Sequence, residues 1–303
     1  MQKETDANVI RYNLFQCNPS TLKETRTTCL PYEMLDHLRR AWNERFPSHA
    51  IPSTIRRKEE LWTALRSRLH RQYECATEYC AVQKLGAPPG ASAYFRPKQP
   101  ANWATAKRPE DQWHDTLTIA DVMEQYEKAN PHFEFVGPVP IDFDEKLPGG
   151  WGKCVVDELC SLDLHAQRRR GTTSIGVIFN LDPHDKPGSH WVCSYIDLVG
   201  CTAYYYDSYG LPPCAEIRRF LRRCREQGCK QILWNDVRHQ RKSSECGTYC
   251  MYIIIMMLKG HSFAELCRKR IDDDTMNAFR DVLYSTDAPR PTAVEKVVAM
   301  LEL

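Results

Sequence analysis

The sequence predicts an α+β fold, a central sheet with helices packed around it. Three observations carry this. Ser174–Asn180, Trp191–Asp197 and Thr202–Asp207 are β-branched and aromatic runs parted by turn residues, among them Pro187-Gly188 and Val199-Gly200. Segments on both sides of these runs repeat apolar residues at helical spacing. Cys246–Lys259 is apolar on all sides, the pattern of a buried helix.

The elements follow in chain order. Residues 1 to about 30 show no period and read as an arm. From Pro31, a good first helical residue, Met34, Leu35, Leu38, Ala41 and Trp42 keep helical spacing until Phe46-Pro47. Ile55, Leu61, Trp62, Leu65 and Leu69 mark a second helix, so residues 31–71 form a helical hairpin with nine basic and five acidic residues. Its cations Arg39, Arg40, Arg56, Arg57, Lys58, Arg66, Arg68 and Arg71 are candidates for nucleic-acid phosphate or a virion protein, set against the plainer reading of a solvated helix face. Residues 85–110, rich in Pro, Gly and Ala, read as a linker between an N-terminal helical domain (1–84) and a larger domain (111–303).

The larger domain opens with a helix at Thr118 carrying Ile119, Val122, Met123 and Tyr126, and a strand at Phe133–Val136 follows it. Pro138, Pro140 and Gly149-Gly150 indicate loop, the glycine pair a turn. Residues 154–164 read as one helix. The three strands come next, their short connections favouring antiparallel pairing. A helix with Ile217, Phe220, Leu221 and Cys224 then returns the chain to a strand at Gln231–Trp234. After the buried helix, Gly260 is a stop signal, Ser262 with Glu265 and Thr292 with Glu295 match capping boxes, and Met276, Phe279, Val282 and Leu283 mark a last helix that Asp272-Asp273-Asp274 would cap.

Composition narrows the function classes. The chain has 303 residues, 42% hydrophobic and 26% charged, enough for one large core or two modest ones. Lys and Arg number 41 against 39 Asp and Glu, so a net charge of +2 excludes a histone-like or strongly acidic chain. The longest apolar run, Tyr249–Leu258, is about half of the roughly 20 residues a membrane-spanning helix needs, and no membrane partner is expected. The N-terminus lacks a secretory apolar stretch, which points to an intracellular, reducing setting where the fourteen cysteines are thiols, most of them small buried hydrophobes. None is spaced as CxxC, and Cys17, Cys29, Cys75 and Cys80 with His70 are too irregular for a zinc ribbon, so neither metal nor cofactor is expected.

Chemistry concentrates at element ends. Cys246 opens the buried helix, where unpaired N–H groups and the positive end of the dipole favour a thiolate. A thiol needs a base, which His190 at the mouth of one strand supplies, and the base needs an anion, which Asp207 at the end of the neighbouring strand supplies. Gln240 is placed to offer an amide donor to an oxyanion, beside the Cys246 N–H. Each has a plainer reading: His190 as a satisfied histidine with His239 as its rival, Asp207 as a turn residue, Gln240 as an exposed loop residue, Cys250 as core. Trp191 and Trp113 are candidate walls of a substrate groove, Gly247 leaves room for substrate backbone, and Trp103, like Trp113, reads either as groove wall or as core or inter-domain residue.

The order Ser189-His190-Trp191, Tyr206-Asp207-Ser208, then Gln240-x5-Cys246-Gly247 resembles the SUMO-protease (ubiquitin-like protease, adenain-related) family of cysteine proteases. GPVPIDF at 137–143, IGVIFNLD at 175–182, YYYDSYG at 204–210 and ECGTYCMYIII at 245–255 bring it nearest to the branch found in large DNA viruses of eukaryotes. The resemblance implies a papain-like, adenain-like fold with a central mixed sheet. It further implies a Cys246–His190–Asp207 triad with Gln240 as oxyanion donor, and cleavage after Gly-Gly type sequences. In the viral branch it implies processing of structural polyproteins during capsid maturation, hence a virion and host-cytoplasm setting. Removal of SUMO or ubiquitin-like modifiers is the alternative within the same chemistry, and a catalytically silent binding module the alternative outside it. Glu245 stands where cellular members usually carry Asp.

Overall fold

A computed structural model describes residues 15–21, 27–107, 112–149 and 152–286. They fall into two compact units, one built from residues up to Pro100 together with those from Ala278 on, the other from Ala101–Asn277.

The first unit is helical: α1 (Tyr32–Arg45), α2 (Lys58–Tyr73) and α3 (Glu78–Leu85). The apolar stripe of α1 meets that of α2, burying Leu35, Leu38, Trp42, Leu61, Trp62, Leu65 and Leu69, as their spacing predicts. The third helix carries too short a period to be read, and Thr77 caps it through the Cys80 N–H. Arg39 and Arg40 pair with Asp36, Arg57 pairs with Glu60, and Arg68 and Arg71 bond to backbone carbonyls.

The domain limits differ from those expected. Residues 85–110 are not a free linker: Ala91 and Phe95 are buried, Cys17 bridges to Phe95, and Ala101–Thr105 forms α4. The far end of the chain returns to the first unit, with Ser285 N–H donating to Pro97 O (2.8 Å) and Gln16 Nε2 to Asp281 O (3.2 Å). Such long-range backbone pairing leaves no periodic trace in sequence.

The second unit holds a five-stranded mixed sheet in the order β1-β2-β3-β4-β5. It runs α5 (Thr116–Ala129), β1 (Phe133–Pro140), α6 (Asp157–Cys160), α7 (Leu164–Arg170), β2 (Ser174–Asn180), β3 (Trp191–Asp197), β4 (Thr202–Tyr206), α8 (Ala215–Glu226), β5 (Gln231–Trp234), α9 (Cys246–Leu258), α10 (Phe263–Arg268) and α11 (Asp273–Leu283), whose last residues belong to the first unit. The hairpins β2–β3 and β3–β4 are antiparallel. The outer pairs β1–β2 and β4–β5 are parallel, because helices cross over between them. Three readings shift. The first strand runs on to Pro140 through a bulge beyond Val136, so Pro138 and Pro140 are strand rather than loop. The helix read at 154–164 is two, because Asp163 caps α7 by accepting the His165 and Ala166 N–H groups. Gly149 sits in a turn, while Gly150 and the capping box at Thr292 lie outside the described residues.

One face of the sheet packs on α8 through Phe143, Phe179 and Phe220. On the other lies α9, buried from Cys246 to Met256 and seated on β3. No described helix is long and apolar enough to cross a membrane.

Six cysteines depart from the expected thiol state. Cys17–Cys29, Cys75–Cys80 and Cys154–Cys160 are disulfides, since folding brings each pair within 6.3 Å between Cα atoms. The other eight are free, six of them buried. His70 is exposed, and the metal set imagined around it does not form. Among the described residues one group, Cys17, Cys29 and Glu78, brings three ligand atoms within 4.8 Å, but its sulfurs are already bonded to each other.

Candidate active site

Antiparallel pairing sets the first part of the site. Because Cys193 on β3 faces Tyr206 on β4, the start of one strand lies beside the end of the other. His190, just before β3, therefore meets Asp207, just after β4: His190 Nε2 lies 2.8 Å from Asp207 Oδ1. The Tyr209 N–H donates to the same oxygen (2.8 Å), and Asn235 Nδ2 donates to the Asp207 carbonyl (2.8 Å). The acid is thus fixed at both ends.

Cys246, first residue of α9 and 5% exposed, stands close enough to His190 for its thiol to act on the titration of the imidazole. Burial works against charge on this imidazole, yet the bonds to Asp207 and Cys246 outweigh it, and the His190 pKa is raised to about 9. Tyr209 stacks on the ring at 4.7 Å, and Arg238 lies over the Tyr209 ring at 5.3 Å.

His239 has a different place. It is 1% exposed, its Nε2 is 2.8 Å from the Cys267 carbonyl, and it meets Tyr206 and Tyr249 edge-on. Burial pushes its pKa down, which suits a neutral core histidine. Cys250 is fully buried, with burial raising its pKa, and belongs to the core.

Gln240 is buried rather than exposed. Its Oε1 accepts from Ser208 Oγ (2.6 Å) and its Nε2 donates to the Lys242 carbonyl (2.8 Å). The segment following it is pinned by Asp273, whose Oδ2 accepts the Arg241 and Lys242 N–H groups (2.9 and 3.2 Å), while Asp272 caps α11 through Thr275.

A groove of about 400 Å³ has Cys246 in its wall together with Trp113, Trp191, Pro140, Asn180 and His184. Both predicted tryptophans line it, Trp113 being 40% exposed and Trp191 buried. Gly247 serves differently from the expectation. A Cβ there would sit 3.0 Å from the His114 side chain, so the missing side chain makes room for His114 rather than for substrate. His114 bonds Thr248 Oγ1 through Nε2 (2.8 Å), and its carbonyl accepts from Trp191 Nε1 (3.0 Å). Thr248 in turn donates to Glu245 (3.1 Å), which also accepts from Ser244 and Asn277. Glu245 therefore braces the first turn of α9 and, through His114, the tryptophan beside the base. Trp103 packs edge-on against His114, at 4.9 Å, as core.

A thiol at the start of a helix, close to an imidazole that a carboxylate holds and with a groove at the sulfur, is the arrangement that nucleophilic thiol chemistry needs. Residues 173–290 match the family described as Ulp1 protease family, C-terminal catalytic domain. It is 31% identical over 180 residues to protein R355 of Acanthamoeba polyphaga mimivirus, covering 57% of each chain. It is 28% identical over 170 residues to a SUMO-1 cysteine protease of African swine fever virus, covering 54% of this chain and 58% of that one. The match thus spans a little over half the length of these relatives. The crystal structure of an African swine fever virus protease shares the fold, with a TM-score of 0.60 at 18% identity over 89% of this chain and 95% of that one.

Proposed function

We propose that the chain is an endopeptidase that cleaves after Gly-Gly type sequences in a viral structural polyprotein, in the virion and host cytoplasm. The observation that carries it is the single imidazole held between a buried carboxylate and a thiol at a helix N-terminus. His190 takes the Cys246 proton, and the sulfur attacks the scissile carbonyl. The Cys246 N–H and a side-chain N–H of Gln240 donate to the developing oxyanion, and His190 returns its proton to the leaving amine. Water then hydrolyses the thioester. Trp113 and Trp191 at the groove support a preference for glycine, whose backbone alone passes between two rings. The polyprotein substrate is what the family resemblance implies for the viral branch, and the relatives are viral thiol proteases. The name of the African swine fever virus relative supports a second reading, removal of a SUMO-type modifier. The basic helices of residues 31–71 dock nucleic acid or a virion protein in this proposal.

The test is single-turnover cleavage of peptides with Gly-Gly and Gly-Ala junctions, and of a SUMO conjugate, by the folded wild type and Cys246→Ala, with reductant and chelator present. Cleavage of the peptides by the wild type alone is expected. Cleavage of the conjugate only would favour the second reading, and silence from a folded wild type on every substrate would overturn both.

A further inference from the structure

The residue between the acid and its turn has no part in the chemistry above, yet it is fully buried and spends both its hydroxyl and its carbonyl on one loop. Ser208 Oγ lies 2.6 Å from Gln240 Oε1, and the Ser208 carbonyl accepts the N–H groups of both His239 and Gln240 (2.9 Å each). Resting on the endopeptidase reading, we infer that Ser208 is the positioning residue of the oxyanion donor, so that the dipeptide Asp207-Ser208 sets the base with one side chain and the oxyanion amide with the next.

The physical case is the two-sidedness of an amide. A glutamine turned by 180° presents its carbonyl oxygen where its N–H groups should be, and an acceptor facing an oxyanion repels it. Two partners fix the sense here. The Lys242 carbonyl is an acceptor only, so the atom facing it is nitrogen. The Ser208 hydroxyl, donating, demands oxygen. One of the two N–H bonds of Nε2 is then satisfied by Lys242, and in the endopeptidase reading the second serves the reacting carbonyl. Gln240 itself is fully buried, so water does not take over the role of the hydroxyl if it is removed. The backbone bonds to the Ser208 carbonyl, together with Asn235 bridging Asp207 O and Val237 O at 2.8 Å each, register the Gln240 loop against the acid turn.

The test uses the full chain as Ser208→Ala, Ser208→Thr, Gln240→Ala and the double variant Ser208→Ala/Gln240→Ala. Deleting an oxyanion donor outright costs about 10²–10³ in kcat, and a misdirected donor a part of that, so Ser208→Ala should lose roughly 10-fold to 100-fold in kcat. KM should stay within about twofold, and Ser208→Thr, which keeps the hydroxyl, should recover most of the loss. Alkylation of Cys246 by iodoacetamide and the alkaline limb of the rate profile should not move, because both report on His190 and Asp207. Added to Gln240→Ala, the serine change should cost nothing further, since its effect passes through that amide. Losses that multiply, a kcat unchanged by Ser208→Ala, or a parallel collapse of thiol reactivity would overturn the inference. A readout independent of turnover separates it from the protease reading. In 15N-labelled protein the Gln240 side-chain N–H pair should give one slowly exchanging set in wild type and Ser208→Thr, and should shift or double in Ser208→Ala. An unchanged set sinks the positioning role even in an inactive protein, while a changed set beside a silent wild type sinks only the endopeptidase reading.

Discussion

Protonation of His190 is where a single residue governs the site. Its pKa near 9 lies above the ordinary 6.5, so the proton it binds contributes stability that is present below pH 6.5 and is lost as pH rises through about 9. In the proposed mechanism the same proton is returned to the leaving group, so turnover is expected to hold across neutrality and to fall on the alkaline side near pH 9. Asp207→Asn removes one of the two partners that hold that proton and leaves Cys246 alone to oppose burial, which lowers the pKa. The alkaline limb should therefore move to lower pH, with kcat/KM down by roughly 10²-fold or more as the imidazole loses its orientation. A rate profile over pH 5–10 for the two proteins checks this, and a limb that stays in place would show that Asp207 does not set the titration. His190, Asp207 and Cys246 were legible because each stands at an element end marked by turn or helix-start chemistry. His114 and Ser208 were not, since a histidine in a loop and a serine in an Asp-Ser-Tyr-Gly turn look alike whether or not they face a partner.

At the scale of elements, the site depends on how closely the acid turn and the Gln240 loop approach. Gly210 has φ +72°, and a Cβ there would lie 2.8 Å from the Val237 carbonyl carbon and 2.9 Å from the Arg238 nitrogen. Gly149 has the same φ but nothing within 4 Å. The pair separates backbone strain from packing. Gly149→Ala should cost about 1 kcal/mol and leave activity alone, whereas Gly210→Ala should cost a further ~1–3 kcal/mol and lower kcat by driving the two loops apart. Urea unfolding with parallel peptide assays would measure both, and equal costs would refute the close-packing account. Helical periods made α1, α2, α5 and α8 readable, an all-round apolar run did so for α9, and β-branched and aromatic runs for β2 to β5. The break between α6 and α7 was hidden because a side-chain cap interrupts a helix without disturbing its apolar content.

For the whole molecule, the nearly balanced charge confines any phosphate affinity to a local surface, and the first unit is the candidate. Arg39, Arg40, Arg57, Arg68 and Arg71 are already engaged with Asp36, Glu60 or backbone carbonyls. If Arg56 and Lys58 help to dock nucleic acid, binding of duplex DNA by the full chain should weaken steeply between about 50 and 200 mM salt, and Arg56→Ala with Lys58→Ala should flatten that dependence. Binding that is absent, or indifferent to salt, would leave a protein partner as the surviving form of the proposal.

The α+β class, the apolar helix that begins with the thiol, and the strands whose ends carry His190 and Asp207 are all written in the order of residues along the chain. Those features are local, because the apolar content of a segment reports how it is buried, and turn and cap residues report where it stops. What depends on residues far apart in the chain emerges with folding. It separated His190, 2.8 Å from Asp207, from His239, turned to the Cys267 carbonyl. It paired Cys17 with Cys29, filled the space above Gly247 with His114, and joined Ser208 to Gln240 across 32 residues. Each is a contact between residues that folding brings together from separate parts of the chain. A pattern along one strand or helix carries no record of the atom it meets on another.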